Sequence, residues 1–575
     1  MAKPSNREIT AMLRELAELT TLEEENPNAF RVRAFENAVA GIEGHGADVA
    51  DLDLEELTRI KGVGRSIAEL IREFVETGRV ARLEELRAKY PRSFVELTRV
   101  PGLGPKRAKL LRRELGVEDL TGLRKAIEEQ RIRTLPGMGR TIEEKLGRAI
   151  ERLGLEERRV PIAVALPLAE RLVERISSLG VEHAAYCGSL RRFKETIGDI
   201  DITVAASDPE PVMSEVVSHP DTEEVIARGD TKTSIRTRDG IQVDVRVVEP
   251  DQLGAALLYF TGSKSHNVAL RQLAIERGWL LNEYGLVEKE SGRVIARRTE
   301  EEIYRALGLQ FIPPTLRENS GEIEAAARGE LPRVVELEDM RGDLHVHTTR
   351  SGDGRSTVAD MLGEAARRGY SYVAITDHGE NLAINGSTRD QMRQHRLEVE
   401  EEASRFPRLR VLFGAELNIG EDGSLDYDPE FRAETFQWCV ASVHSHFDLP
   451  QARQTERLLT AIADPTVSAI GHLTGRYIGR RPGIEIDVDA VLDALRDTGT
   501  ALEVNGALDR LDAPSEVVRR AVARGVDLVI STDAHHTSEL DRMRFGVLNA
   551  QRGWATPDRV VNTRPWDEFS AWLGL

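Results

Sequence analysis

Cysteine is almost missing: a chain of 575 residues holds two, Cys187 and Cys439. Two thiols that far apart build neither a disulfide framework nor a zinc knuckle, and they point to a reducing compartment. Long apolar runs are missing as well, which argues against a membrane partner. The opening "MAKPSNREIT" lacks the basic-then-apolar pattern of a signal peptide, so a cytoplasmic, nucleoid-associated chain is expected. Positive charge is in short supply overall, with a net charge of −19. Spread evenly, that would repel nucleic acid. It is not spread evenly, because residues 91–150 carry 14 basic against 8 acidic side chains. Attraction between charges is screened beyond about 8–10 Å at physiological salt, so a local basic segment binds phosphate whatever the total. The length allows three to five domains.

Three stretches repeat one pattern: "LTRIKGVGRSIAELI", "LTRVPGLGPKRAKLL" and "IRTLPGMGRTIEEKL". Each carries Gly-apolar-Gly (Gly62/Gly64, Gly102/Gly104 and Gly137/Gly139) followed by a helical period. A single such pair is an ordinary helix end. Three in matching context predict helix, tight hairpin and second helix, with free backbone N–H groups facing outward. Such ends take phosphates without reading sequence. Arg65, Lys106, Arg107 and Arg140 add charge beside them.

"CGSLRRFKETIGDIDIT" (187–203) follows Gly188 and Ser189, after nine residues, with Asp199-x-Asp201. Side chains alternate along a strand, so the two acids share a face and Ile200 and Ile202 turn to the core. "GIQVDVRVVEP" repeats the alternation, with Ile241, Val243 and Val245 against Asp244 and Arg246. Three carboxylates converging from neighbouring strands suit two divalent cations about 3.5–4 Å apart. Gly188 would let backbone approach phosphate, and Ser189 with Arg192 would hold terminal phosphates.

This pattern resembles the nucleotidyltransferase superfamily. With "YFTGSKSHN" (259–267) and the three hairpins, residues 1–315 resemble the family X DNA polymerases, the group of DNA polymerase beta. The resemblance implies Asp199, Asp201 and Asp244 as catalytic ligands of Mg²⁺ or Mn²⁺. It implies Gly188, Ser189 and Arg192 at the triphosphate, Tyr259, Phe260 and Gly262 at the sugar, and Asn267 at the incoming base. The chain has Lys264 where the eukaryotic branch has Asp, a cation close to the nucleotide. It also has Leu70 and Ser66 where that branch carries lysines on the helix after the first hairpin, which removes the amine for Schiff-base lyase chemistry.

Beyond a proline-bearing, polar stretch (309–342, with the linker set at 316–340) the rhythm changes. Seven apolar strands alternate with helical segments, which predicts a barrel of parallel strands. Almost every strand ends in a metal-ligand residue: His345, His347, Asp353, His378, Glu416, His444, His472, Asp533 and His535. Six of the 13 histidines stand in that set. Strand C-termini gather at one mouth of such a barrel. Nine groups exceed one ion and suit a cluster of two or three Mn²⁺, Zn²⁺ or Fe ions. The spacing resembles the PHP domain, a metal-dependent phosphoesterase, although Asp353 lies six residues after His347 where many members have five. His446 and His536 fall outside the pattern.

The expected fold is multidomain α+β and α/β. A helical N-terminal domain (1–90) and helix-hairpin-helix fingers (91–155) precede a nucleotidyltransferase palm (156–250) and thumb (251–315). After the linker comes a (βα)7-type PHP barrel (341–575). The expected function is a DNA-directed DNA polymerase for short gaps in base excision repair, coupled to a 3′–5′ exonuclease. Its partners would be gapped or primed duplex with 3′ ends and deoxynucleoside triphosphates, and it would act as a monomer. The alternatives are a DNA-end-binding scaffold, or a barrel serving mainly as an abasic-site endonuclease or phosphatase.

Overall fold

A computed structural model describes every residue except 1–3, 5, 27–28, 44–48, 99, 101, 148–158 and 383–384. The chain forms two compact units, Met1–Arg158 and Arg159–Leu575. The expected boundary at 155/156 falls outside the described residues.

The described part of the first unit is helical. The three glycine repeats share one geometry. Gly62, Gly102 and Gly137 adopt φ of 91°, 86° and 73°, the left-handed turn each hairpin needs. The apolar residues between the glycine pairs, Val63, Leu103 and Met138, are buried in one core that runs through the unit. Each hairpin is thus pinned from inside, with its glycines left at the surface. At Gly62 a side chain is also barred sterically, because a Cβ would lie 2.4 Å from the Asn37 carbonyl oxygen. Around Gly64, Gly104 and Gly139 there is open space. Gly64 and Gly104 cap the helices Arg65–Thr77 and Pro105–Leu115 with no side-chain hydrogen bond. Their N-terminal N–H groups therefore stay available to a ligand.

The second unit starts with a five-stranded sheet. Its order is His183–Tyr186, Asp199–Ala205, Gln242–Val248, Lys232–Thr237, Thr222–Arg228. All neighbours are antiparallel except Asp199–Ala205 with Gln242–Val248, which run parallel. The alternation expected from sequence holds: Ile200, Ile202, Ile241, Val243 and Val245 are buried in one cluster. The thumb follows as helices Leu253–Thr261, Lys264–Glu276 and Glu300–Ala306 with a three-stranded antiparallel sheet, Trp279–Asn282, Gly285–Glu288 and Val294–Ala296. Glu300 joins thumb to palm. It accepts from Arg191 at 2.7 Å and from the fully buried Arg317 at 2.5 Å.

Residues 316–340, expected as a linker, are packed rather than extended. They form a short helix, Glu322–Arg328. Ile323, Ala326 and Val334 enter the thumb core, and Val335 and Met340 enter the barrel core. Apolar side chains spaced among the polar ones give the segment something to bury, which outweighs its single proline, Pro332.

The barrel has seven parallel strands in sequential order: Gly342–Val346, Tyr372–Ile375, Arg410–Asn418, Trp438–Ser442, Ala469–Ile470, Ala501–Asn505 and Leu528–Ser531. A parallel bridge between Val346 and Ala534 brings the first strand to the last. Going up the strands, one set of alternating residues changes character. Near the strand starts, Leu412, Trp438, Ala469, Ala501 and Val529 cluster with Phe569 of the final helix. Near the strand ends, Glu416, Ser442, Glu503 and Ser531 take their place, all buried. An apolar floor thus supports a polar mouth.

Candidate active site and candidate metal centre

In the palm, parallel pairing sets Asp201 opposite Asp244 and Asp199 opposite Gln242. Adjacent strands lie about 4.8 Å apart, so the acids meet on one face. Burial, then Asp199 and Asp244, pushes the Asp201 carboxyl up to about 7. Burial also acts on Asp244, but hydrogen bonds from Lys232 and Gln242 outweigh it and hold that carboxyl below its usual range. Lys232 Nζ lies 2.7 Å from Asp244 Oδ2. Carboxylates crowded on one face repel one another, which suits positive charge between them.

Gly188 sits against this face. The Cys187 N–H donates to the Asp201 carbonyl at 2.7 Å, and a Cβ on Gly188, whose φ is 60°, would fall 2.5 Å from Asp201 Oδ2. The glycine is therefore needed first by the carboxylate beside it. Ser189 is half-buried in the same short helix, Gly188–Arg191. Arg192 donates from Nη1 to the Thr261 carbonyl at 2.5 Å and lies 3.1 Å from Glu318 through Nε. That gathers Arg192 and Gly262, the residue after Thr261, at one place. Tyr259 and Phe260 meet edge to face at 5.1 Å, with the Arg246 guanidinium 4.7 Å from the Phe260 ring centre. Asn267 donates to the Tyr259 carbonyl at 2.7 Å. Lys264 is exposed at the start of its helix.

At the barrel mouth all nine expected residues come together. Glu416 is the hub. Its carboxylate lies 2.9 Å from His378, 2.9 Å from His472, 3.1 Å from His444 and 3.4 Å from both His345 and His347. Asp533 lies 3.4 Å from His347 and 3.7 Å from His345. Asp353, for all its irregular spacing, reaches His378 at 3.6 Å and His535 at 3.5 Å. Three triads bring their ligand atoms within 4.8 Å of one another: His347/His378/His535, His345/His347/Asp533 and His378/Glu416/His444. His446 and His536 are exposed or half-exposed and bond Ser445 and Ser538 instead.

Several of these rings are fixed by the nitrogen that faces away from the centre. His345 Nδ1 lies 2.6 Å from Glu503, His444 Nδ1 2.7 Å from Asn418 and His347 Nδ1 3.2 Å from Ser351. The inward nitrogens of His345 and His347 are buried with no hydrogen-bond partner. Burial alone would raise Glu416 and Asp533, yet the surrounding histidines hold both well below the carboxylate range. Burial and the neighbouring His535 and His378 push His347 down to about 4, so it keeps a lone pair for a ligand bond at neutral pH. Orphaned imidazole nitrogens facing ionised carboxylates fit a cluster of cations.

Sequence reasoning missed the supports. Glu503 holds His345, Ser531 and the His472 N–H, and Asp377 holds His395, Ser351 and Thr348. Lys232 was missed in the palm. An acid inside an apolar strand, as in "ALEVNG", was the available sign for Glu503. Both cysteines are free and buried, and burial pushes their thiols up to about 11 and about 12.

Comparison with known proteins agrees along the chain. Residues 4–80 match a helix-hairpin-helix domain and 94–152 a SAM-like helix-hairpin-helix tandem. Residues 256–318 match the DNA polymerase beta thumb, and 343–507 the PHP domain. A probable phosphatase of Thermoanaerobacter sp. (strain X514) is 28% identical over 231 residues, 38% of this chain and 89% of its own. Another, of Acetivibrio thermocellus, is 30% identical over 208 residues, 35% and 81% of the two chains. The DNA polymerase/3'-5' exonuclease PolX of Bacillus subtilis (strain 168) is 37% identical over 571 residues, 99% of each chain. By that end-to-end likeness this chain belongs to the bacterial family X DNA polymerases that carry a C-terminal PHP domain.

Proposed function

We propose that the chain adds deoxynucleotides to 3′ ends at short gaps in DNA and, at its barrel, removes them by 3′–5′ hydrolysis. The observation that carries this reading is the parallel pairing that places Asp199, Asp201 and Asp244 on one face, beside Gly188 and Arg192. The three carboxylates would hold Mg²⁺ or Mn²⁺. Bound there, the cations supply charge that acidifies the primer hydroxyl and steadies the leaving phosphate. The chain's own residues do the rest. Ser189, Arg192 and Lys264 receive the triphosphate, Tyr259, Phe260 and Gly262 bound the sugar, and Asn267 meets the base. Lys232 keeps Asp244 ionised and oriented.

At the barrel mouth His345, His347, Asp353, His378, Glu416, His444, His472, Asp533 and His535 would hold two or three Mn²⁺, Zn²⁺ or Fe ions. Such a cluster supplies a water-derived nucleophile and a Lewis acid for phosphodiester hydrolysis. Glu503, Asn418 and Ser351 orient the rings that hold it. Gly62, Gly64, Gly102, Gly104, Lys106, Gly137 and Gly139 grip duplex phosphates on either side of a gap. The protein works as a monomer on DNA in the cytoplasm, at the nucleoid, within base excision repair. No helix among the described residues is long and apolar enough to cross a membrane.

Primer extension on a gapped duplex, with a 3′-labelled primer followed in both directions, tests both activities at once. Addition of nucleotides with Mg²⁺ or Mn²⁺, and release of labelled mononucleotide when triphosphates are withheld, is expected. A chain that only binds the gap sinks the reading. The likeness of the barrel to probable phosphatases supports a second reading of that centre, removal of a 3′-terminal phosphate. Primers ending in phosphate rather than hydroxyl separate the two.

A further inference from the structure

One carboxylate stands between the two catalytic halves of the Arg159–Leu575 unit. Glu318, at the end of the thumb, is three-quarters buried, with Arg192 Nε at 3.1 Å, Arg552 Nη1 at 3.2 Å and Lys194 Nζ at 3.7 Å. Arg192 and Lys194 come from the turn beside the palm acids. Arg552 comes from the other half, as the last residue of the barrel helix Met543–Arg552. It also donates from Nη1 to the main-chain carbonyl of Arg192 at 2.6 Å. Its Nε is buried without a partner.

Three cations around one carboxylate leave local charge unbalanced. Burial lowers the Lys194 pKa; Glu318 and Glu195 oppose that, and Arg552 and Arg192 add to it. An anion is wanted here, in the place where the terminal phosphates of a nucleotide are expected. Arg192 is only partly free to meet it, because its Nε is turned to Glu318 and its Nη1 to the Thr261 carbonyl.

We propose that Glu318 restrains Arg192 until a nucleoside triphosphate takes that arginine, and that Arg552 then retains the released carboxylate. Arg552, a residue of the phosphoesterase half, is thus a positioning residue for nucleotide addition. The triphosphate replaces one carboxylate on Arg192, and Glu318 keeps Arg552 and Lys194, so no charge is left buried and unpaired. The inference rests on the assignment of Arg192 to the triphosphate given above.

The test is a double-mutant cycle in the full chain, with KM for the nucleotide and kcat measured on gapped duplex. R552Q is expected to raise KM roughly three- to tenfold with kcat held within about twofold, because Glu318 then holds Arg192 more tightly. E318Q is expected to lower KM, and E318Q/R552Q to behave as E318Q alone. R552K, which keeps the charge, should restore most of the affinity. Exonuclease turnover should be the same in all variants. An unchanged KM in R552Q overturns the proposal. So does an equal rise of KM in the double variant, because Arg552 would then act only by holding the Arg192 backbone in place. A wild-type chain that extends no primer overturns both this proposal and the polymerase reading, whereas normal extension with no coupling overturns this one alone.

Discussion

Asp201 is held against its own chemistry. Its carboxyl is pushed up to about 7 by burial and by two neighbouring acids. A folded-state value above the unfolded one favours the fold at low pH, and that contribution is lost as pH rises through about 7. In EDTA the melting temperature of wild-type protein should therefore fall between pH 5 and 8, and Asp201→Asn should flatten that fall. Added Mg²⁺ should raise the wild-type melting temperature more than the variant's. The same variant should lose nucleotide addition by at least about 10²-fold, because a cation ligand is gone. A variant that extends primers normally would remove Asp201 from the site. Leu70 makes the opposite kind of prediction. With no lysine there or at Ser66, borohydride should trap little covalent adduct on DNA bearing a 5′-deoxyribose phosphate. A strong adduct lost on mutating Lys61 would reveal a substitute amine. Asp199, Asp201 and Asp244 were legible in the sequence because a period of two exposes them against apolar neighbours. Glu503 was not, because its partner His345 lies 158 positions away and only barrel closure brings them together.

Among the elements, the three hairpins are alike in backbone and unlike in charge. Arg65 and Arg140 each pair with a glutamate one turn along, at 3.2 Å and 2.7 Å. In the second hairpin Arg107 donates to the Gly102 carbonyl at 2.7 Å, and Lys106 makes no ion pair among the described residues. The second hairpin should therefore dominate phosphate binding. Affinity for duplex should be indifferent to base sequence and fall with log salt at a slope near −0.9 per phosphate neutralised. Lys106→Ala should flatten that slope more than Arg65→Ala or Arg140→Ala, and Gly102→Val should weaken binding to every sequence alike. Fluorescence anisotropy across a salt series measures this, and a strong preference for one sequence would contradict it. The hairpins were readable because their glycines recur in register. The packing of 316–340 was not, because whether a polar, proline-bearing stretch lies open or packed depends on the surfaces that flank it.

In the whole molecule, the two catalytic centres use separate residues, so their activities should separate. His345→Ala with His347→Ala should abolish exonuclease release and leave primer extension largely intact, with circular dichroism confirming the fold. Loss of extension in that folded variant would undo the two-centre assignment. How the halves of the second unit dock was beyond the sequence. The bidentate pair of Arg476 with Glu195 spans 281 positions and that of Arg544 with Glu170 spans 374, and no local pattern announces either. The bridge from Val346 to Ala534 carries a further consequence. It works as a clasp, since His345 and His347 sit on one jaw and Asp533 and His535 on the other. During synthesis the palm and thumb acquire all their own residues while the second jaw has yet to be made. Neither the clasp that erases nor the palm core, which takes in Leu511 and Phe545 of the barrel half, can thus be finished before the last strands emerge. Loading of the metal cluster then marks a chain that has been translated past its last strand.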